Sequence, residues 1–90
     1  MLNEEYIRQN ADDVLRLCTF YIRDDRAARK IFMETFATIE SEISRTTLLR
    51  VAHDCCRKSH KSVRYSHEDE IWLYEDLLGL TADERLEIIA

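Results

Sequence analysis

The sequence predicts a small all-α fold, a bundle of about four to five helices, and three observations support this. The chain of 90 residues contains no Pro and a single Gly, Gly79, so tight hairpin turns lack the residues that they need. Residues that favour helix, mainly Ala, Leu, Glu, Arg and Ile, dominate the composition. Apolar residues recur every three or four positions along most of the chain. A chain this short buries a modest core, so we expect a binding module rather than an enzyme.

The first two helices are predicted to form an antiparallel hairpin. Helix 1 spans about residues 4–22 and begins after an N-cap at Asn3. Its apolar positions are Ile7, Ala11, Val14, Cys18, Tyr21 and Ile22. Helix 2 begins after a cap at Asp24 or Asp25, and its stripe consists of Ala28, Ile31, Phe32, Thr35, Phe36 and Ile39. The connection of two or three residues brings the two helices side by side.

The later helices are indicated by an apolar arc and by capping residues. Helix 3 is predicted from about Thr46 to Ser62. Its apolar arc contains Leu48, Leu49, Val51, Ala52, Cys55 and Cys56. Ser66 followed by Asp69, and Thr81 followed by Glu84, are capping-box pairs that open two further helices. The first of these ends at Gly79 as the residue after the C-cap, and the last covers the segment "ADERLEIIA".

Charge is distributed unevenly along the chain, whose net charge is -5. Residues 44–65 carry six basic residues and one acidic residue, whereas residues 66–90 carry eight acidic residues and one basic residue. On a continuous helix, Arg50, Arg57 and Arg64 would form one row, which Lys61 joins and which Lys58 flanks. Such a basic face is typical of a contact with a polyanion or an acidic protein, and the alternative is an ordinary solvated face.

Cysteine and histidine residues in helix 3 raise the question of a metal site. His53, Cys56 and His60 share one helix face and could bind Zn²⁺ with a fourth ligand such as Cys18 or His67. We favour the simpler interpretation, in which the cysteines continue the apolar arc and pack in the core. No metal site, no cofactor and no catalytic residue are therefore predicted, because nucleophile motifs and Gly-rich phosphate loops are also missing from the sequence.

The sequence also bears on location. Three cysteines without framework spacing favour a reducing compartment, so we expect a cytoplasmic protein. No apolar run reaches the roughly 18 residues of a membrane span, and we expect no membrane association.

Two stretches together resemble a known family. "RDDRAARKIFMETF" (23–36) resembles the segment of extracytoplasmic-function sigma factors that binds the core of bacterial RNA polymerase, and "SRTTLLRVAHDCCRKSHKS" (44–62) resembles the next helix of that family. The order, helix lengths and apolar register agree over about residues 6–62. The resemblance implies that residues 1–65 form a domain like sigma region 2. Residues 66–90 would be an acidic helical tail that packs on this domain or leads to a second one.

The resemblance also implies site residues and partners. The polymerase-binding positions, which in the family lie against the coiled-coil clamp of the largest subunits, are Asp24, Ala28, Ile31, Met33, Glu34 and Phe36. The following helix faces promoter DNA in the family, so it combines with the basic row to give a weak nucleic-acid contact. The residues of that contact are Arg45, Arg50, Arg57, Lys58, Lys61 and Arg64. An anti-sigma-type protein is a further partner that the resemblance implies.

The chain also departs from the family pattern. Arg26, Arg29 and Lys30 stand where the family has acidic residues, and Met33 stands where it usually has Gln. Thr47 stands where the family usually has Trp, and the loop between helix 2 and helix 3 is shorter than in the family. We therefore expect a degenerate sigma-like domain that regulates or initiates transcription.

Two alternatives to this function remain. One is a stand-alone, dimeric interaction module that uses the same helix 2 surface. The other is a metal- or thiol-based sensor, which requires exposed cysteines.

The acidic segment 66–90 allows two interpretations. It could fold over basic helix 3 and neutralise it. It could instead pack Ile71, Trp72, Leu77 and Leu78 into the core and leave its acidic side chains in water, and we favour this second interpretation.

Overall fold

A computed structural model describes residues 2–89 and confirms the all-α fold within that range. The helices are α1 (Glu4–Tyr21), α2 (Asp25–Thr38), α3 (Arg45–Arg57), α4 (His67–Ile71) and α5 (Ala82–Ile89). A π-helical segment, Trp72–Leu77, continues α4. Met1 of the predicted domain and Ala90 of the predicted last helix lie outside the described residues.

Helix starts follow the predicted capping residues. The side chains of the predicted caps Asn3, Asp24 and Ser66 each accept a hydrogen bond from a backbone N–H in the first turn of their helix. Ser44, which was not predicted as a cap, does the same for α3. At the start of α5, the Thr81 hydroxyl accepts from the backbone N–H of Glu84, whose carboxylate accepts from the N–H of Thr81. The second capping box is thus confirmed in both directions.

The core is assembled around α3, which packs against α1, α2 and α5. Leu48 and Leu49 of α3 are fully buried with Val14 and Leu17 of α1. The α1–α2 connection is only three residues, and these two helices also contact one another, as the predicted hairpin requires. The side of α2 that faces away from the core remains exposed.

The predicted length of helix 3 is wrong, because α3 ends at Arg57 rather than at Ser62. Beyond it, the backbone N–H of Ser59 donates to the carbonyl of Cys56, a tighter turn than an α-helix makes. Ser62 then forms an isolated antiparallel bridge with Ile22, and the N–H of Val63 donates to the carbonyl of Tyr21. Backbone pairing with the end of α1 thus replaces further helix, over residues that include the weak helix formers Ser59, Ser62 and Val63.

The acidic segment shares the core of the rest of the chain. Leu73, Tyr74 and Leu78 are buried, but Trp72 is 50% exposed and Leu77 is 39% exposed. The prediction that Trp72 and Leu77 anchor the core is therefore wrong. The N–H of Leu78 bonds to the carbonyl of Leu73, five residues back, and this wider turn changes which side chains face inward.

Over the residues that the structure describes, none of the helices combines the length and the apolar character that a bilayer span needs.

Candidate functional site

A groove of about 440 Å³ runs between α2 and the chain that follows α3. Its buried and half-buried lining residues are Ala27, Ile31, Cys55 and Ser59, so the floor is mainly apolar. Exposed basic residues stand around this floor, and these are Arg26, Lys30, Lys58 and Lys61. Two acidic residues, Asp24 and Glu34, also line the groove. The groove thus combines apolar surface with an excess of positive charge.

Local structure explains why the two sides of the groove meet. Asp24 caps α2 and also accepts a hydrogen bond from the Lys61 ammonium at 2.9 Å. The Ser59 hydroxyl accepts from the N–H of Lys61 at 3.2 Å, which shapes the turn after α3. The early end of α3 is therefore what brings Lys58 and Lys61 towards α2, whereas a longer helix would carry them onward along its axis.

Only part of the groove's charge is neutralised within the chain. The hydrogen bond from Lys61 is the main reason that the pKa of Asp24 lies below its usual value, with the backbone bond from Ala27 adding to it. Arg26, Lys30 and Lys58 form no ion pair with any residue between 2 and 89. Three unpaired cations and the unpaired carboxylate of Glu34 therefore face the groove, and the remaining excess of positive charge favours an anionic ligand or partner.

The residues predicted to bind polymerase divide into two groups. Ala28, Ile31 and Phe36 are buried in the core. A partner could reach them only at their edges, so their role in this fold is to position α2.

Asp24, Met33 and Glu34 form the other group and lie at the surface. Met33 is 69% exposed, and Arg26, Arg29, Lys30, Glu34 and Ala37 surround it in a shallow depression. The exposed side of α2 therefore presents one large apolar side chain, that of Met33, surrounded mainly by basic residues.

The residues predicted to bind nucleic acid do not form one row. Arg45 pairs with Asp13 at 2.8 Å and donates to the carbonyl of Leu78, so it acts as an internal anchor. Arg57 forms an exposed pair with Asp54 at 3.4 Å, and Arg50 is exposed.

The remaining three lie beyond the end of α3. Lys58 and Lys61 line the groove, whereas Arg64 lines a different hollow. The single row required residues 58–64 to be helical, and that prediction is wrong because α3 ends at Arg57.

A second hollow, of about 290 Å³, was not predicted from the sequence. It is lined by His53, Arg57, Arg64 and Tyr65, together with the bonded pair Tyr21 and Glu70. The Nδ1 atom of His53 is buried and has no hydrogen-bond partner in the described part of the chain. Burial lowers the pKa of His53. No local spacing could reveal this cluster, because Tyr21 and Glu70 are 49 positions apart.

The thiols are mostly withdrawn from solvent. Cys18 and Cys56 are buried, and Cys55 is half-buried on the floor of the groove. The pKa of Cys56 is raised mainly by a hydrogen bond with Cys18 and also by burial, so this thiol stays protonated and unreactive. Between residues 2 and 89, no cluster of three or more His, Cys, Asp or Glu side chains is arranged to hold a metal ion.

Comparisons with family models, with curated proteins and with solved structures find no match for this chain. The resemblance to sigma factors therefore stays a prediction from the sequence of residues 6–62.

Proposed function

We propose that this chain is a sigma-like helical domain that takes part in transcription, with α2 as its docking surface for the core of RNA polymerase. The supporting observation is the outer side of α2, where Met33 is 69% exposed while the opposite side of the helix builds the core. Met is a flexible side chain that is frequent at protein-binding surfaces, so we assign the contact to Met33 and the charged residues around it. The proposal places the protein in the cytoplasm, and an anti-sigma-type protein would compete for the same surface.

The nucleic-acid contact in this proposal is weak. The residues of this contact would be Arg50 and Arg57 on α3, with Lys58, Lys61 and Arg64 beyond its end. They would contact phosphates and position the partner without reading sequence. Arg45 is not part of this contact, because its guanidinium bonds to Asp13 and to the Leu78 carbonyl. We expect an affinity for duplex DNA that falls steeply as salt rises.

A binding assay with purified polymerase core tests the proposal. Wild-type protein should be retained by immobilised core, whereas Met33→Asp and Glu34→Ala should weaken retention. Leu86→Asp is the matched control, since Leu86 is 50% exposed and lies on α5 instead of α2. Failure of the wild-type protein to bind core would overturn the proposal, as would equal effects of Met33→Asp and Leu86→Asp.

A stand-alone interaction module is the second candidate, and a separate observation favours it on a surface other than the helix 2 surface predicted from the sequence. Trp72 is 50% exposed, and its ring lies 6.3 Å from that of Phe20, which packs 4.2 Å from Tyr65. A partly exposed aromatic group of this kind suits a protein interface. Light scattering would detect a dimer, and Trp72→Ser should shift it to monomer if this surface forms the interface.

A further inference from the structure

We propose that the groove between α2 and the end of α3 binds an acidic amphipathic helix of a partner protein. This inference deepens the proposed function, on which it rests for the docking role of α2, by naming the chemistry of the partner. Its two components are the apolar floor and the surrounding cations, and each constrains the occupant separately.

The floor selects apolar side chains. Ile31 is buried, and Ala27 and Cys55 are half-buried, so the base of the groove offers few polar groups. A volume of about 440 Å³ is too small to enclose a helix, yet it can receive the side chains of a helix that lies across it. Helices that dock in this way insert apolar residues spaced three or four positions apart.

The charges around the floor select acidic flanks. Arg26 and Lys30 approach from α2, and Lys58 approaches from the end of α3, so carboxylates on both sides of a docked helix would find cations. Lys61 contributes less, because Asp24 already neutralises it.

A phosphate backbone fits the groove less well than such a helix. Phosphates gain affinity from charge and from polar donors, and they gain nothing from the apolar floor that Ile31 and Ala27 provide. An acidic helix uses both components. The contribution of the floor therefore distinguishes the two occupants, and the experiment is built on it.

Fluorescence anisotropy with three labelled probes tests the inference. The first is an amphipathic peptide of about 20 residues with Leu on one face and Glu on its flanks. The second has the same acids but Ser in place of Leu, and the third is a short DNA duplex. The 90-residue chain should bind the first peptide at low salt, and it should bind the Ser peptide and the duplex at least about tenfold more weakly.

Variants then locate the site. Lys30→Glu and Lys58→Glu together should weaken binding of the Leu peptide about tenfold or more. Arg16→Glu, an exposed charge reversal on α1, is the matched control and should leave binding within about twofold of wild type. Circular dichroism of each variant verifies that the helices are retained.

Three results would overturn the inference: no binding of the Leu peptide, equal binding of the Ser peptide or the duplex, or equal effects of the groove variants and Arg16→Glu. The polymerase assay is independent of these probes. If polymerase core binds and the peptide does not, the acidic-partner inference fails and the proposed function stands. If the peptide binds and the core does not, the proposed function fails and the groove remains a site for an acidic helix on another protein.

Discussion

The hydroxyl of Tyr21, at the end of α1, donates a hydrogen bond to the carboxylate of Glu70 in α4. It also lies 3.1 Å from the hydroxyl of Tyr74, which is fully buried. Buried polar groups need hydrogen-bond partners, and the Tyr21 hydroxyl provides one for the Glu70 carboxylate and one for the Tyr74 hydroxyl. The first helix and the acidic segment, far apart in sequence, are therefore joined by one polar cluster.

Removing the Tyr21 hydroxyl should destabilise the fold. Tyr21→Phe leaves the half-buried Glu70 carboxylate and the Tyr74 hydroxyl without this partner, so the free energy of unfolding should fall by about 1–2 kcal/mol. Urea denaturation followed by circular dichroism measures the change. Tyr65→Phe is the control, because the Tyr65 hydroxyl makes no hydrogen bond to any described residue, and equal losses in the two variants would contradict the prediction.

Alkaline pH gives a second check on the same cluster. Burial, together with interactions with Tyr74 and Glu70, raises the pKa of Tyr21 far above its ordinary value of 10.0. Above about pH 10 the unfolded chain releases this proton and the folded chain keeps it, so the folded state binds more protons and stability falls as the pH rises. The fall in the free energy of unfolding with rising pH, measured by urea denaturation at several pH values above about 10, should be shallower in Tyr21→Phe than in the wild type.

Much of the helical framework could be predicted from the sequence because its signals are local. Asn3, Asp24 and Ser66 cap helices that begin immediately after them, and the Thr81–Glu84 pair forms both of its expected bonds. Each of these signals depends on a backbone N–H within three residues, so no tertiary knowledge is needed.

The candidate groove could be predicted only in part, because it depends on contacts across the chain. Sequence spacing assigned Lys58 and Lys61 to a helical row, whereas the pairing of Ser62 with Ile22 draws them towards α2. The prediction that Trp72 is buried fails for a related reason, because the π-helical segment directs Leu73 and Tyr74 into the core instead. Periodicity assumes one regular helix, and both errors lie where the helix stops or widens.

His53 should make the protein less stable in mild acid. Burial lowers its pKa from the ordinary value of 6.5 and outweighs the opposing influence of Glu70 and Asp54, while Arg57 lowers it further. Below about pH 6.5, His53 is therefore protonated in the unfolded chain but stays neutral in the folded chain. The free energy of unfolding should fall as the pH falls towards the lowered pKa of the folded state. Thermal unfolding between pH 8 and pH 5 measures this loss.

A substitution separates His53 from other acid-sensitive groups. His53→Phe keeps a ring that can pack edge-on against Tyr21, whose centroid lies 5.3 Å away, and removes the proton site and the unpartnered Nδ1. The variant should lose less stability between pH 7 and pH 5 than the wild type does. His67→Gln, at an exposed position, should retain the wild-type loss, and an unchanged slope in His53→Phe would refute the prediction.

The ion pair between Arg85 and Glu75 should be asymmetric in its response to mutation. The Nε atom of Arg85 donates to Glu75 at 2.8 Å, and the Arg85 side chain is 8% exposed whereas that of Glu75 is 29% exposed. Glu75→Gln leaves the buried Arg85 cation without a charged partner and should lower the free energy of unfolding by about 2 kcal/mol. Arg85→Met keeps an apolar stem and leaves a carboxylate that water can reach, so it should cost about 1 kcal/mol.

The double variant completes the cycle. Glu75→Gln combined with Arg85→Met contains neither charge, and its loss of stability should be smaller than the sum of the two single losses. Urea denaturation of the four proteins provides the values. The interpretation fails if Arg85→Met proves more costly than Glu75→Gln.

Gly79 ends the π-helical segment in a conformation that other residues avoid. Its φ is 70°, and an added Cβ would meet no atom within 4 Å, so backbone strain is the only penalty for a side chain. Gly79→Ala should therefore destabilise the fold by about 1 kcal/mol, and Gly79→Asn by less, because Asn tolerates the left-handed region. Thermal denaturation of the two variants measures the difference, and a larger loss for Asn would indicate that space rather than φ limits this position.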